Sequence, residues 1–175
     1  MAQQDITGGI VNLLAYNVID EFVANLQKEL NIHRLRSKWI NISFVDDVDG
    51  DMGDCEGDTD EVDIRIDNTM DWIDQMITLA HEMVHAEQFL RGKLSGTVWR
   101  NRNYKKCPYE RLPWEMSAHQ LEEKLYKKCY PEWAPMYPVG LKADEIRNDY
   151  KDITKKYKKV HFFSKNRLQT DKTVV

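Results

Sequence analysis

The segment LAHEMVHAEQF carries two histidines four residues apart with a glutamate directly after the first: His81, Glu82 and His85. On a helix, positions i and i+4 lie one turn apart on the same face, so both imidazoles can reach one cation. Glu82 is turned about 100° away from His81 by the helical repeat. That leaves it beside such a cation, where it can serve as general base toward water. Leu79, Ala80, Met83, Val84 and Ala86 surround the three with apolar side chains, a dry setting that strengthens electrostatic interactions. The pattern predicts a hydrolytic zinc site. The competing reading is a pair of core histidines satisfied by ordinary hydrogen bonds.

A catalytic zinc takes three protein ligands and keeps a fourth position for water, so a third ligand must come from elsewhere. His33, His119, His161, the aspartates of residues 46 to 60, and Glu115 are the candidates. Glu115 and His119 are one turn apart in PWEMSAH, so either can project from a second helix into a shared cleft. Two histidines plus one carboxylate is a known hydrolytic arrangement, which favours Glu115 and leaves His119 to orient a ligand or to donate to a transition state. The ordinary role of Glu115 would be a solvated first-turn acid favoured by the helix dipole. Tyr104, Tyr109 and His119 are candidates for stabilising an oxyanion.

Several elements must hold these residues. Val18, Phe22, Leu26 and Leu30 form one helical stripe, predicting an amphipathic helix over residues 18–30. WINISFVDD and VDIRID alternate apolar and polar residues and predict two half-buried strands. Between them DDVDGDMGDCEGDTDE is rich in Gly and Asp and predicts a solvated loop. Asp47, Asp49 and Asp51 hint at calcium there, but Met52 stands where an EF-hand loop needs glycine and Asp58 where it needs glutamate. Asn68 and Asp71 resemble a helix start and Gly92 a stop, so residues 70–91 are expected to form the helix bearing the histidines. Pro113 opens another through WEMSAHQLEEKLYKK. Ile146, Tyr150, Ile153 and Tyr157 predict a last one over residues 141–160, and residues 92–112 show no clear periodicity.

The 175 residues suit a single domain spanning 1–175, with about 161–175 as a basic tail, and the net charge of −4 gives no overall pull toward nucleic acid. Cys55, Cys107 and Cys129 are odd in number and widely spaced, which fits free thiols in a reducing compartment and argues against both a disulfide framework and a cysteine zinc ribbon. With a poor signal sequence and no spanning apolar run, the chain reads as cytosolic and not membrane-bound. A second functional class is a non-catalytic metal-containing module. Its partner surface would be the C-terminal segment, where Lys151, Lys155, Lys156 and further basic residues alternate with Tyr157, Phe162 and Phe163 and could contact nucleic acid. Trp99, Trp114 and Trp133 are candidates for aromatic walls near the cleft, or for core packing.

The stretch MGDCEGDTDEVDIRIDNTMDWIDQMITLAHEMVHAEQF resembles the core of SprT-like zinc metallopeptidases, with a glycine-x-cysteine turn, an IRL-type strand and a helix reading HEMxHA. The following HAEQFLRGKL and WRNRNYKKCPYERLPWEMSAHQLEEKL resemble small phage-encoded proteins assigned as metallopeptidases, which share HExxHxxQ, a tryptophan-containing loop and PWExxA. Together these span about residues 40 to 128. The resemblance implies an α+β, zincin-like fold of the minimal gluzincin type: a small twisted sheet on the HExxH helix, with additional N- and C-terminal helices. It places Glu115 as the downstream zinc-binding glutamate beside His81 and His85, so the expected enzyme holds Zn2+ on these three and uses Glu82 as general base on a protein or peptide substrate. His119 and Tyr109 are carried as catalytic candidates from the residue reading alone. The chain departs from SprT-like enzymes in lacking a third histidine soon after the motif helix, and His119 stands where thermolysin-like enzymes have an aspartate.

Overall fold

The computed structural model describes residues 2–8 and 13–134, with the side chains of Leu13 and Leu14 left out. These residues lie within one compact unit, 1–137. The helix expected over 141–160, the basic tail, His161 and the C-terminal lysine cluster lie outside the described residues.

The fold is mixed α+β. A four-stranded sheet has the order β1 (Gln3–Gly8), β2 (Trp39–Val45), β4 (Glu61–Asp67), β3 (Gly53–Gly57). β1, β2 and β4 run parallel and β3 closes the edge antiparallel to β4. The two strands expected from alternation are β2 and β4. Their register sets Ile40 beside Val62, Ile42 beside Ile64 and Phe44 beside Ile66, and all six are buried. The intervening Asn41, Ser43, Asp63 and Arg65 form a polar outer face, so helices cover one side of this sheet.

Helix α1 (Leu13–Glu29) joins β1 to β2 and buries Val18, Phe22 and Leu26, as their spacing predicts. Helix α2 (Trp72–Leu90) packs on β3 and β4, and helix α3 (Pro113–Cys129) packs on α2 and α1. Sandwiched between layers, α2 is buried on all sides over its second part, Thr78 through Leu90 being buried except for half-buried Glu87, and so encloses the polar His81, Glu82, His85 and Gln88. Its start differs from expectation: Asp71 is the cap, accepting from the Asp74 amide at 3.0 Å, while Asn68 donates to Asp46 at 2.9 Å. Gly92, at φ +64°, stops the helix. Pro113 opens α3 at its first position.

Two further corrections concern the sheet. The Gly/Asp-rich stretch is not all loop, because residues 53–57 pair with β4 as the edge strand β3. Its side chains contribute little apolar alternation, so composition hides it. Residues 3–8, for which no strand was expected, form β1 beside β2. Between α2 and α3 the chain builds a meander of two-residue strands, β5 (Leu94–Ser95), β6 (Val98–Trp99) and β7 (Arg102–Asn103), followed by a 3-10 turn at Tyr109–Arg111. All three cysteines are free. Among the described residues no helix is long and apolar enough to cross a membrane.

Candidate metal centre

His81 and His85 leave α2 one turn apart and face Glu115, which comes from the first turn of α3. Nε2 of His81 and Nε2 of His85 are 3.1 Å apart, and each lies 3.4 Å from Glu115 Oε2. Three ligands at 2.0–2.1 Å in a tetrahedron stand ~3.3 Å from one another. The triangle therefore has the dimensions of three corners of such a site, and the three residues form a group able to hold a metal ion.

The far nitrogens fix the tautomers. His81 Nδ1 lies 2.7 Å from Glu122 Oε2, and an ionised carboxylate only accepts, so this nitrogen carries a proton. His85 Nδ1 lies 3.0 Å from Gln88 Oε1, and the Gln88 amide nitrogen donates to the Trp114 carbonyl at 3.3 Å. That donation orients the amide and leaves its oxygen to accept from His85. Both Nε2 atoms accordingly present lone pairs toward each other and toward a carboxylate. Three acceptors converge, and among the described residues the donor aimed at them is the Tyr109 hydroxyl, which donates to Glu115 Oε2 at 2.8 Å. The arrangement calls for a positive charge at its centre.

The ionisation equilibria follow. Burial pulls the His81 imidazole down, but pairing with Glu115 and Glu122 prevails and raises it to about 9. A proton on His81 thus supplies the positive charge when no metal does. Burial raises the Glu115 carboxyl, yet its bonds with His81 and His85 hold it well below the usual carboxylate range. Glu82 is 5% exposed, and burial pushes its carboxyl up to about 7 against the opposing pull of His85 and His81. Tyr109 is raised by burial and by the Glu115 charge.

Of the residues singled out from the sequence, His81, Glu82, His85, Glu115 and Tyr109 come together. His119 stacks on His81, ring centroids 4.6 Å apart, with Nδ1 3.2 Å from Glu122 Oε2. His81, His119 and Glu122 form a second metal-capable group. It shares His81 with the first, and Glu122 Oε2 already binds both rings, so it is better described as the support of the first. His33 is elsewhere, bonded through Nδ1 to the Gln27 carbonyl at 3.2 Å. The loop aspartates join neither group among the described residues; Asp47 caps Gly50, and Asp49 pairs with Arg65.

Tyr104 turns its ring edge-on to Trp114. Trp99 also packs on Trp114, one residue before Glu115, while Trp133 is tied to α1 by a 2.7 Å bond to Glu21. Gln88 entered the sequence reading only as the last residue of HExxHxxQ, with no role attached, and Glu122 was missed, although each stands three residues beyond a histidine on the same helical face. Comparison of the chain with protein-family models, with curated proteins and with solved structures finds no match in any of the three.

Proposed function

We propose that the chain is a zinc-dependent metallopeptidase of zincin-like fold, related to the SprT-like and phage proteins its motifs resemble. The observation that carries this reading is the convergence of two imidazole lone pairs and a carboxylate oxygen at zinc-ligand spacing, 3.1 to 3.4 Å apart. Two nitrogens and one oxygen suit zinc, and a three-residue set leaves a position open, as hydrolytic sites require and closed structural sites do not. Zinc bound there would supply Lewis acidity, polarising a carbonyl and making water a nucleophile near neutral pH.

The chain's own residues supply the rest. Glu82, buried beside the ligands and poised at about 7, takes the proton of the attacking water and returns it to the departing amine. Tyr109, hydrogen-bonded to Glu115 and 57% exposed, stands at the rim, where its hydroxyl can turn to the developing oxyanion. Glu122 and Gln88 keep the two imidazoles in the ligating tautomer. β3 is the sheet edge next to α2, where an extended peptide can add as a strand.

The test is metal analysis joined to a proteolysis assay. Purified protein should hold about one zinc per chain, as a single three-ligand site requires. Glu82→Gln should keep the zinc and lose hydrolysis by roughly 10²–10⁴-fold, and His81→Ala should lose both. Protein that never carries a stoichiometric transition metal overturns the proposal.

A further inference from the structure

Residues 91–111 carry seven basic side chains against Glu110 alone, in a chain whose net charge is −4. Two of the seven are neutralised, Arg91 and Lys93 both pairing with Glu87. The other five, Arg100, Arg102, Lys105, Lys106 and Arg111, are exposed and have no carboxylate partner among the described residues. They are gathered on the β6–β7 hairpin and the turn that follows it.

The hairpin is anchored by aromatic packing and backbone hydrogen bonds. Trp99 and Tyr104 flank the buried Trp114, ring centroids 6.5 and 5.9 Å away. The Arg100 amide bonds to the Lys93 carbonyl and the Tyr104 amide to the Thr97 carbonyl, both at 2.8 Å. Its tip is a two-residue turn in which Arg100 and Asn101 both have left-handed backbone, φ 46° and 67°. Asn-Gly is the low-strain choice for such a turn, so a bulky cation here is held against a backbone cost. Arg100 lies over the Trp99 ring at 5.3 Å, its charge still exposed.

We propose that this hairpin, together with the segment that follows it to Arg111, is a nucleic-acid-binding element that docks on duplex DNA, the five unpaired cations of residues 100–111 meeting backbone phosphates. The hairpin is the outer edge of the three-stranded meander, with β6 also paired to β5, so its tip and β7 are what it offers to a groove. The major groove admits a narrow β ribbon, and arginine and asparagine are the side chains that pair bidentately with guanine and adenine edges there. The tip presents Arg100, Asn101 and Arg102 in alternation, all exposed, while the Asn103 carboxamide oxygen is occupied, accepting from the Lys105 amide at 2.8 Å. The aromatic rings are occupied, Trp99 by Arg100 and Trp114, Tyr104 by Trp114. No open stacking platform for single-stranded bases is left on the hairpin, so duplex is the favoured partner. The proposal rests on charge and shape and is independent of the metal site.

The experiment is fluorescence anisotropy of the full chain with a labelled 20-base-pair duplex and the matching single strand, in salt from 50 to 200 mM. Five phosphate contacts give a log–log salt slope of about −4.5, so duplex affinity should fall about 500-fold across that range. Lys105→Ala with Lys106→Ala, two exposed changes outside the strands, should reduce the slope by about two. Arg100→Glu with Arg102→Glu should abolish binding while circular dichroism stays unchanged; if that pair misfolds, the lysine pair decides. Absence of duplex binding at 50 mM salt overturns the proposal. So does binding that the hairpin substitutions leave intact, or single-strand binding as tight as duplex binding. Concentration-dependent self-association abolished by the same substitutions would instead assign the hairpin to the acidic residues 46–63 of a second copy, and would also overturn it.

Discussion

Gln88 is 1% exposed and bridges the two helices that carry the candidate ligands, accepting from His85 on its own helix and donating to the Trp114 carbonyl beside Glu115. Replacing it with leucine keeps the bulk but removes both bonds. His85 is then free to adopt the other tautomer, in which Nε2 carries the proton and cannot ligate. Loss of such a partner weakens metal binding by roughly 10–100-fold, and Glu122→Gln should do the same through His81. Competition against a chromogenic chelator measures both, and unchanged affinity in both variants would show that the tautomers are set by something else. His81, Glu82 and His85 were legible in the sequence because a five-residue motif on one helix is local information, and the PWE start of α3 pointed to Glu115. Glu122 was not, because its partner is 41 residues away and only the crossing of two helices brings them together.

Edge strand β3 determines how closely the sheet approaches the motif helix. A methyl group added at Gly53 would stand 2.7 Å from Thr78 Cγ2 and 3.1 Å from the Arg65 carbonyl oxygen, so Gly53→Ala forces β3 and α2 apart. Overpacking of this kind costs about 1–3 kcal/mol, readable as a lower urea midpoint. Thr78→Ser removes the obstructing methyl, so the double variant should recover part of the loss and show a coupling of the sign expected for contacting residues. Additive effects would mean that the two side chains do not meet. The helices and the central strands β2 and β4 were readable because burial imposes a period on them, 3.6 or 2 residues. β1 and β3 escaped for the opposite reason. QQDITG turns only Ile6 into the core from its strand, and GDCEG offers half-buried or exposed residues throughout. Edge strands are defined by the neighbour they pair with, which composition does not encode.

For the whole molecule, a cation that binds the folded chain and not the unfolded one must raise stability. At free zinc 100-fold above the dissociation constant the gain is about 2.7 kcal/mol, or roughly 5–10 °C in Tm for a protein of this size. The dependence on pH separates this site from adventitious binding. Without metal, His81 ionises at about 9 in the folded protein against an ordinary 6.5. Its contribution is therefore complete below pH 6.5 and is lost as pH rises through 9. Zinc needs the same nitrogen deprotonated, so its stabilising increment grows over the window in which the proton's contribution fades. Tm measured with EDTA should accordingly carry a declining component between pH 6.5 and 9, while the gap between zinc-loaded and EDTA-treated protein widens. Glu115→Ala should collapse that gap and lower the His81 pKa together, since this one carboxylate serves both cations. A gap that is flat with pH, or that survives in the Glu115 variant, would place the zinc somewhere other than between α2 and α3.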